Sequence, residues 1–145
     1  MSKWYYKGKP ITPEDIPEWA CGFIYKITHK PSSRIYIGKK LLQAKRRTKI
    51  SKKEKVATKT RKTFKTTVKQ SNWETYFGSN KEISAMIAEG KEKEFKREIL
   101  EFCHSKQHLS YREMVVQVQY DVLSTDAFNG NIMARFFKGI NNRKE

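Results

Sequence analysis

The stretch GFIYKITHKPSSRIYIGKK, residues 22–40, decides the fold of this chain. Aromatic and β-branched residues alternate with polar ones before and after HKPSS (29–33), which consists of turn residues. This alternation predicts two antiparallel strands joined by a turn. Tyr25 falls on the first strand and Tyr36 on the second. The two tyrosines are therefore either a cross-strand pair that stabilises the hairpin or part of a reactive site.

The composition indicates the class of partner. The chain has 145 residues, the length of one domain with a modest core. It carries 31 Lys and Arg against 15 Asp and Glu, a formal charge of +16 that favours a polyanion, with nucleic acid as the first candidate. No run of about 18 apolar residues is present, and residues 1–10 lack the apolar stretch of a secretory signal. We therefore expect a cytoplasmic protein that binds no membrane.

Most of the charge lies in residues 39–70, a basic insertion after the second strand. Between Lys39 and Lys69 there are 14 basic residues and one acidic residue, a net charge of +13, with few large apolar side chains. This composition predicts a surface segment, or one ordered by its partner, that contacts phosphates without reading bases. A solubilising surface is the alternative. The expected DNA-binding residues are Lys39, Lys40, Lys45, Arg47, Arg61, Lys62 and, through its ring, Tyr76.

Patterns on either side of the hairpin and the insertion predict further elements. Residues 1–20 read as an N-terminal arm that leads to a short helical turn, and 21–145 as the domain itself. NKEISAMIAEG (80–90) has the apolar spacing of a short amphipathic helix, and EFKREILEFC (94–103) that of a third strand. A last helix is expected to run to about Val122, capped by Ser105 or by Ser110.

Glu113 lies in an unusual place on this last helix. At helical spacing it falls into an apolar row with Leu109, Val116 and Tyr120. Glu113 is either the second half of a capping box that begins at Ser110, or a half-buried carboxylate that needs a cation or a metal ion beside it. The helical pattern extends back to Leu109, which favours the second interpretation.

The hairpin also resembles a known family signature. GFIY (22–25), ten further residues and YIG (36–38) resemble the paired motif of the GIY-YIG endonucleases, although Gly22 stands one place early. YIGKK, NWETYFGSNKE and FKREIL resemble small phage-encoded, homing-endonuclease-like members, and the resemblance covers about residues 21–132. It implies an α/β (α+β) domain, with a three-stranded antiparallel sheet flanked by helices and the basic insertion after the second strand. A phage-encoded member would act in the host cytoplasm.

The resemblance implies a metal-dependent DNA endonuclease, of homing type or nicking, that uses Mg²⁺ or Mn²⁺. Glu113 matches the metal-binding glutamate, and Asn131 the asparagine that braces the site or touches a phosphate. The family has an arginine on a helix after the second strand. Arg46 is the nearest match, with Arg47 and Arg61 as alternatives.

The two tyrosines have expected roles in this chemistry. Tyr25 would accept the proton of the attacking water, and Tyr36 would orient that water or the phosphate. A free phenol has a pKa of about 10, so a base of this type needs nearby cations to lower that pKa. Lys39, Lys40 and Arg46 are the expected cations.

Two other classes of function remain open at this stage. The chain is alternatively a nucleic-acid-binding protein on the same scaffold that does not cut, or a basic structural protein of a ribonucleoprotein or virion. The oligomeric state is also open. One catalytic centre cuts one strand at a time, so a double-strand break needs a dimer on DNA or two successive visits.

Overall fold

The structure is a computed structural model that describes residues 3–59, 61, 63–132 and 136–137, with the backbone alone at 44–48, 58, 65–68 and 136–137. The strands are β1 (Trp4–Tyr6), β2 (Lys9–Pro10), β3 (Gly22–His29), β4 (Arg34–Leu41), β5 (Gln43–Lys49), β6 (Phe64–Gln70), β7 (Phe95–Cys103), β8 (Asn131–Ile132) and β9 (Phe136–Phe137). The helices are α1 (Lys52–Thr58), α2 (Lys81–Ala88) and α3 (Lys106–Gln119), and 3-10 turns span Pro13–Asp15, Trp73–Thr75 and Glu92–Glu94.

The central sheet has the strand order β2-β1-β7-β3-β4. β3 pairs antiparallel with β4 and with β7, which confirms the predicted hairpin and third strand. β1 joins the other side of β7 in parallel, and β2 forms the outer edge. The α/β class is therefore confirmed, but the expected number of strands was wrong: the sheet has five strands, not three, and is mixed.

The two additional strands come from residues 4–10, part of the expected N-terminal arm. Trp4 is 2% exposed, and its ring packs edge-on against Phe23 at 5.0 Å and Tyr25 at 5.6 Å between centroids. Burial of an indole removes a large apolar surface from water, so this contact holds β1 against the sheet. The expected helical turn follows at Pro13–Asp15.

The basic insertion forms an element of its own. β5 and β6 pair antiparallel as a separate two-stranded sheet, and α1 lies between them in sequence. The insertion leaves the central sheet after Leu41 and returns at Ser71, whose N–H donates to the carbonyl of Leu42 at 3.1 Å. Residues 43–49, where the resemblance implied a helix, are thus a strand.

Two apolar clusters lie on the two faces of the sheet. The first cluster contains Phe23, Tyr25 and Phe95. Trp73, from a 3-10 turn, and Ile83, from α2, cover it. The second contains Ile24, Ile37 and Cys103 with Leu109 and Val116 of α3. Helices therefore flank both faces, as expected. In the part of the chain that the structure describes, no helix is long and apolar enough to cross a membrane.

The start of α3 decides between the two interpretations of Glu113. Ser105 is the N-cap, and its Oγ accepts from the N–H of His108 at 3.1 Å. The helix therefore begins at Lys106, four residues before Ser110, and Glu113 lies in its interior. Leu109 and Val116 of the predicted row are 2% and 3% exposed. The capping-box interpretation is thus wrong, and Glu113 lies on the packed face of the helix.

Candidate active site

Tyr25 and Tyr36 lie on the same face of the β3–β4 hairpin. Tyr25 pairs with Gly38 and Tyr36 with Ile27, so the tyrosines are diagonal neighbours, with ring centroids 6.1 Å apart. A Cβ on Gly38 would lie 2.4 Å from the Tyr25 hydroxyl. Glycine at this position therefore lets the Tyr25 ring lie across the second strand. Tyr25 is 1% exposed, whereas Tyr36 is half-buried.

A cavity of about 670 Å³ opens at the edge of the sheet beside β4. It brings together three of the predicted site residues: Tyr36 from β4, Glu113 from α3 and Asn131 from β8. The polar side chains that line it with them are Ser79, Asn80, Lys81, Glu82, Gln117 and Asn129.

Asn129 and Gln117 fasten this edge of the sheet. Because β4 is an edge strand, the outward backbone groups of Ile37 have no strand partner. Asn129 Oδ1 accepts from Ile37 N–H at 2.9 Å, and its Nδ2 donates to the Ile37 carbonyl at 2.8 Å. Gln117 Nε2 donates to the same carbonyl at 3.1 Å. Both side chains are buried, and they hold α3 and the segment after it next to Tyr36.

The charge of the Glu113 carboxylate acts on both phenols. Burial raises its pKa, and the ammonium and backbone N–H of Lys39 lower it in part. In turn, the charge of Glu113 contributes to raising the pKa of Tyr25 and of Tyr36. Lys39 Nζ donates to the hydroxyl of Ser110 at 2.8 Å, one helical turn before Glu113. The two tyrosines and the carboxylate therefore share one electrostatic environment.

Both phenols are neutral near physiological pH. Burial, then the neighbouring Tyr36 and Tyr76, raise the pKa of Tyr25 well above its usual value. Burial also raises the pKa of Tyr36, although the Ser79 hydroxyl, 3.1 Å from its oxygen, lowers it in part. The expectation that cations lower the phenol pKa was wrong. Lys40 Nζ lies 4.0 Å above the Tyr76 ring and donates to Asn72 at 2.8 Å.

Comparison with known proteins identifies the fold. A family model described as "Putative endonuclease segE, GIY-YIG domain" matches residues 4–138. The chain belongs to the GIY-YIG endonuclease family. No curated protein and no solved structure matches it. The matched region of the GIY-YIG domain begins in β1 and includes the basic insertion.

Two residues that the sequence reasoning missed hold the interior of this GIY-YIG domain. Asn129 carries the bracing contacts that the resemblance had suggested for Asn131. Arg97 is 1% exposed, and its Nη1 donates to the carbonyls of Glu74 at 3.0 Å and Tyr76 at 2.8 Å. Burial lowers the pKa of Arg97 to about 10, so the guanidinium stays charged at neutral pH. Neither residue gave a local sequence signal, because each acts on backbone far away in the chain.

Arg97 positions Tyr76 within the GIY-YIG domain. Its guanidinium carbon lies 4.2 Å from the centroid of the Phe77 ring and 4.7 Å from that of Trp4. The loop held in this way packs the Tyr76 ring edge-on against Tyr25, with centroids 6.0 Å apart. Tyr76, expected to stack on a nucleic-acid base, is half-buried and supports the tyrosine pair.

The predicted arginines lie in the basic insertion. Arg46 and Arg47 belong to β5, and their side chains, like that of Lys45, lie outside the described part. Lys62 lies outside the described residues, and Arg61 is exposed between α1 and β6.

A different arginine contacts residues of the cavity wall. Arg34 Nη1 donates to Glu82 at 2.9 Å, and its guanidinium carbon lies 4.0 Å from the centroid of the Phe128 ring. Glu82 and Phe128 both line the cavity. Arg34 therefore joins two sides of the cavity wall.

The residues of the cavity fit a hydrated divalent ion better than a fully protein-bound one. Among the described residues, no cluster of three or more His, Cys, Asp or Glu could hold a metal ion. Glu82 is paired with Arg34, which leaves Glu113 as the carboxylate available for a cation. Mg²⁺ keeps several waters and needs only one or two protein carboxylates when substrate phosphates supply the rest. The half-buried Glu113 is consistent with such a site.

Proposed function

We propose that this protein is a metal-dependent DNA endonuclease that hydrolyses phosphodiester bonds at the cavity beside β4. The observation that carries the proposal is the convergence of Tyr36, Glu113 and Asn131 on that one cavity, from a strand, a helix and the segment after it. Membership of the GIY-YIG family supports the class of reaction. The charge of +16 supports a polyanionic substrate.

Glu113 would hold Mg²⁺ or Mn²⁺ at this site. A bound divalent ion polarises a phosphoryl oxygen and lowers the pKa of a water bound to it. The carboxylate is half-buried at a fixed place on α3, and burial disfavours its charge. A cation beside it offsets that cost, so metal binding relieves an unfavourable feature of the folded protein.

We assign Tyr36 and Tyr25 roles that differ from those expected from the sequence. Tyr36 lines the cavity and, as a neutral phenol, can donate its hydroxyl proton to a phosphate oxygen or orient a water. Tyr25 is 1% exposed and packs behind Tyr36, so we assign it the positioning of that ring and not the acceptance of a proton. Asn131, on the cavity wall, can donate from its amide to a second phosphate oxygen.

The basic insertion would hold the DNA duplex. Its described side chains include the exposed lysines Lys49, Lys52, Lys53 and Lys59. Lysine contacts to phosphates fix the position of a duplex and carry no sequence information. One active site attacks one strand at a time, so a nick is the expected first product, and a double-strand break requires a second chain or a second visit.

A plasmid assay tests the proposal. Supercoiled plasmid is incubated with the wild-type protein, with Glu113→Gln and with the exposed-site control Glu89→Gln, each with Mg²⁺ and with a chelator. We expect nicked circles from the wild type and the control only when Mg²⁺ is present. Glu113→Gln should cut at least about 100-fold more slowly. DNA binding without any Mg²⁺-dependent nicking by the wild type would instead support the non-catalytic alternative.

A further inference from the structure

A second concave surface lies on the β1 and β7 side of the sheet, away from the edge strand β4. It is a cavity of about 600 Å³, and we call it the lysine pocket. Its walls include the rings of Tyr5 and Phe95, and one carboxylate, that of Glu92, also lines it. The remaining lining residues are four exposed lysines, Lys3, Lys30, Lys93 and Lys96.

The ammonium groups of these lysines are available to a ligand. In the described part of the chain, no ion pair joins any of the four to a carboxylate, whereas Lys26 and Lys91 nearby are paired with Glu98 and Glu89. Lys96 Nζ lies 5.4 Å from the centroid of the Tyr5 ring, a contact that leaves its charge in place. Four unpaired cations around one cavity favour an anion with several charges.

The lysine pocket and the active-site cavity lie at the same end of the sheet. His29 pairs with Arg34 and with Phe95, so the β3–β4 turn and the start of β7 are neighbours. The His29 ring lies 4.9 Å from Phe95, which lines the lysine pocket, and 6.5 Å from Phe128, which lines the active-site cavity. One ring therefore separates the walls of the two cavities.

The basic insertion leaves from the opposite end of the sheet. Gly22 pairs there with Leu41 and with Cys103, and β5 begins two residues after Leu41. Cationic surfaces thus lie at both ends of the sheet, and the lysine pocket shares its end with the active-site cavity. A duplex has one phosphate charge for about every 1.7 Å of its axis, so a duplex bound at the active-site cavity also presents phosphates to the neighbouring lysine pocket.

We propose that the lysine pocket binds the phosphate backbone of duplex DNA next to the active site, at the end of the sheet away from the basic insertion. The inference rests on the proposed function. The inference goes beyond the proposed function because it assigns a second DNA contact to residues outside 39–76. The pocket would hold the duplex beside the bond to be cut, and it reads no bases.

Salt-dependent binding tests the inference without any cleavage. The variant Lys30→Gln, Lys93→Gln, Lys96→Gln is compared with the charge-matched control Lys7→Gln, Lys9→Gln, Lys106→Gln, whose lysines are exposed elsewhere. Affinity for a short DNA duplex is measured with a chelator present over a series of salt concentrations. The logarithm of the affinity should depend on the logarithm of salt with a slope shallower by about 3 in the pocket variant and by less than about 1 in the control.

The possible results separate this inference from the proposed function. Equal slopes for the two variants would show that the lysine pocket is an ordinary solvated surface, and the inference would be wrong. A wild-type protein that nicks no plasmid, while the pocket variant still has the shallower slope, would leave the inference in place and contradict the catalytic proposal. Thermal melts of both variants near the wild-type temperature exclude unfolding as the cause.

Discussion

The hydroxyl of Tyr25 occupies the space that a side chain on Gly38 would fill. A Cβ built on Gly38 comes within 2.4 Å of that oxygen and 2.6 Å of the adjoining ring carbon. The contact joins β3, which carries Tyr25, to β4, which carries Gly38. The Tyr25 ring is 1% exposed, so the surrounding side chains keep it in this position. Gly38 of the YIG motif (36–38) is thus required because Tyr25 of the GFIY motif (22–25) fills the space beside it.

Gly38→Ala should therefore destabilise the protein. The added methyl group forces the Tyr25 ring or the strand to move, and overpacking of this kind costs about 1–3 kcal/mol. Chemical denaturation measures the change in the free energy of unfolding. Gly130→Ala is the control, because nothing lies within 4 Å of its Cβ, and it should change stability by less than about 0.5 kcal/mol. Equal stabilities for the two variants would contradict the contact.

Tyr36→Phe and Tyr25→Phe should differ in cleavage. Tyr36 lines the cavity, and loss of a hydroxyl that stabilises developing charge should slow nicking by about 100-fold or more. Tyr25→Phe keeps the buried ring that supports Tyr36, so we expect a loss below about 10-fold, whereas a proton acceptor would cost about 100-fold to 10,000-fold. Single-turnover nicking rates of the two variants decide whether Tyr25 positions Tyr36 or accepts a proton. A larger loss for Tyr25→Phe would restore the role expected from the sequence.

Local patterns in the sequence were sufficient for the elements next to the site. Alternation with a period of two gave the β3–β4 hairpin and β7, and the apolar spacing of residues 80–90 gave α2. The start of α3 was left between Ser105 and Ser110, and the structure places the cap at Ser105. β1 was missed because its three residues pair in parallel with β7, more than ninety positions later. A strand that short carries no periodic signal, and its pairing depends on tertiary contacts of Trp4.

Three of the five residues predicted to be catalytic line one cavity, but the electrostatics of the site could not be predicted from the sequence. Tyr36, Glu113 and Asn131 were selected by their order along the chain in a family pattern, and the structure places them on one cavity. The direction of the phenol pKa shifts could not be obtained in this way. Lys39 and Lys40 are close to Tyr36 in sequence, but burial, which is a property of the whole fold, dominates both phenols.

Glu113→Gln should stabilise the metal-free protein at neutral pH. Burial raises the pKa of Glu113 in the folded state above its value of about 4.3 in the unfolded chain. The folded state therefore binds this proton more tightly, and the wild type loses stability as the pH rises above the unfolded value. The neutral amide removes that loss, so the melting temperature of Glu113→Gln should exceed that of the wild type.

The pH dependence of this difference provides the check. Melting temperatures are measured with a chelator present, from acidic to neutral pH. The difference should shrink as the pH falls below the usual carboxyl range, because both proteins are then neutral at position 113. The exposed Glu89→Gln variant should show no comparable trend. A Glu113→Gln variant that is less stable than the wild type at neutral pH would mean that Lys39 outweighs burial.

Arg97→Met should destabilise the protein by about 2 kcal/mol or more, because it leaves the carbonyls of Glu74 and Tyr76 without their donor in a half-buried loop. Its guanidinium also lies against the rings of Trp4 and Phe77, and methionine retains only part of that contact. Arg112→Met is the control: its guanidinium pairs with Glu101, both side chains are half-buried, and partial exposure to water limits the contribution of such a pair to about 1 kcal/mol. Urea titration of both variants measures the difference. Should Arg97→Met prove as stable as Arg112→Met, the loop that carries Tyr76 must be held by Trp4 Nε1, which donates to the Trp73 carbonyl at 2.7 Å, and not by the buried guanidinium.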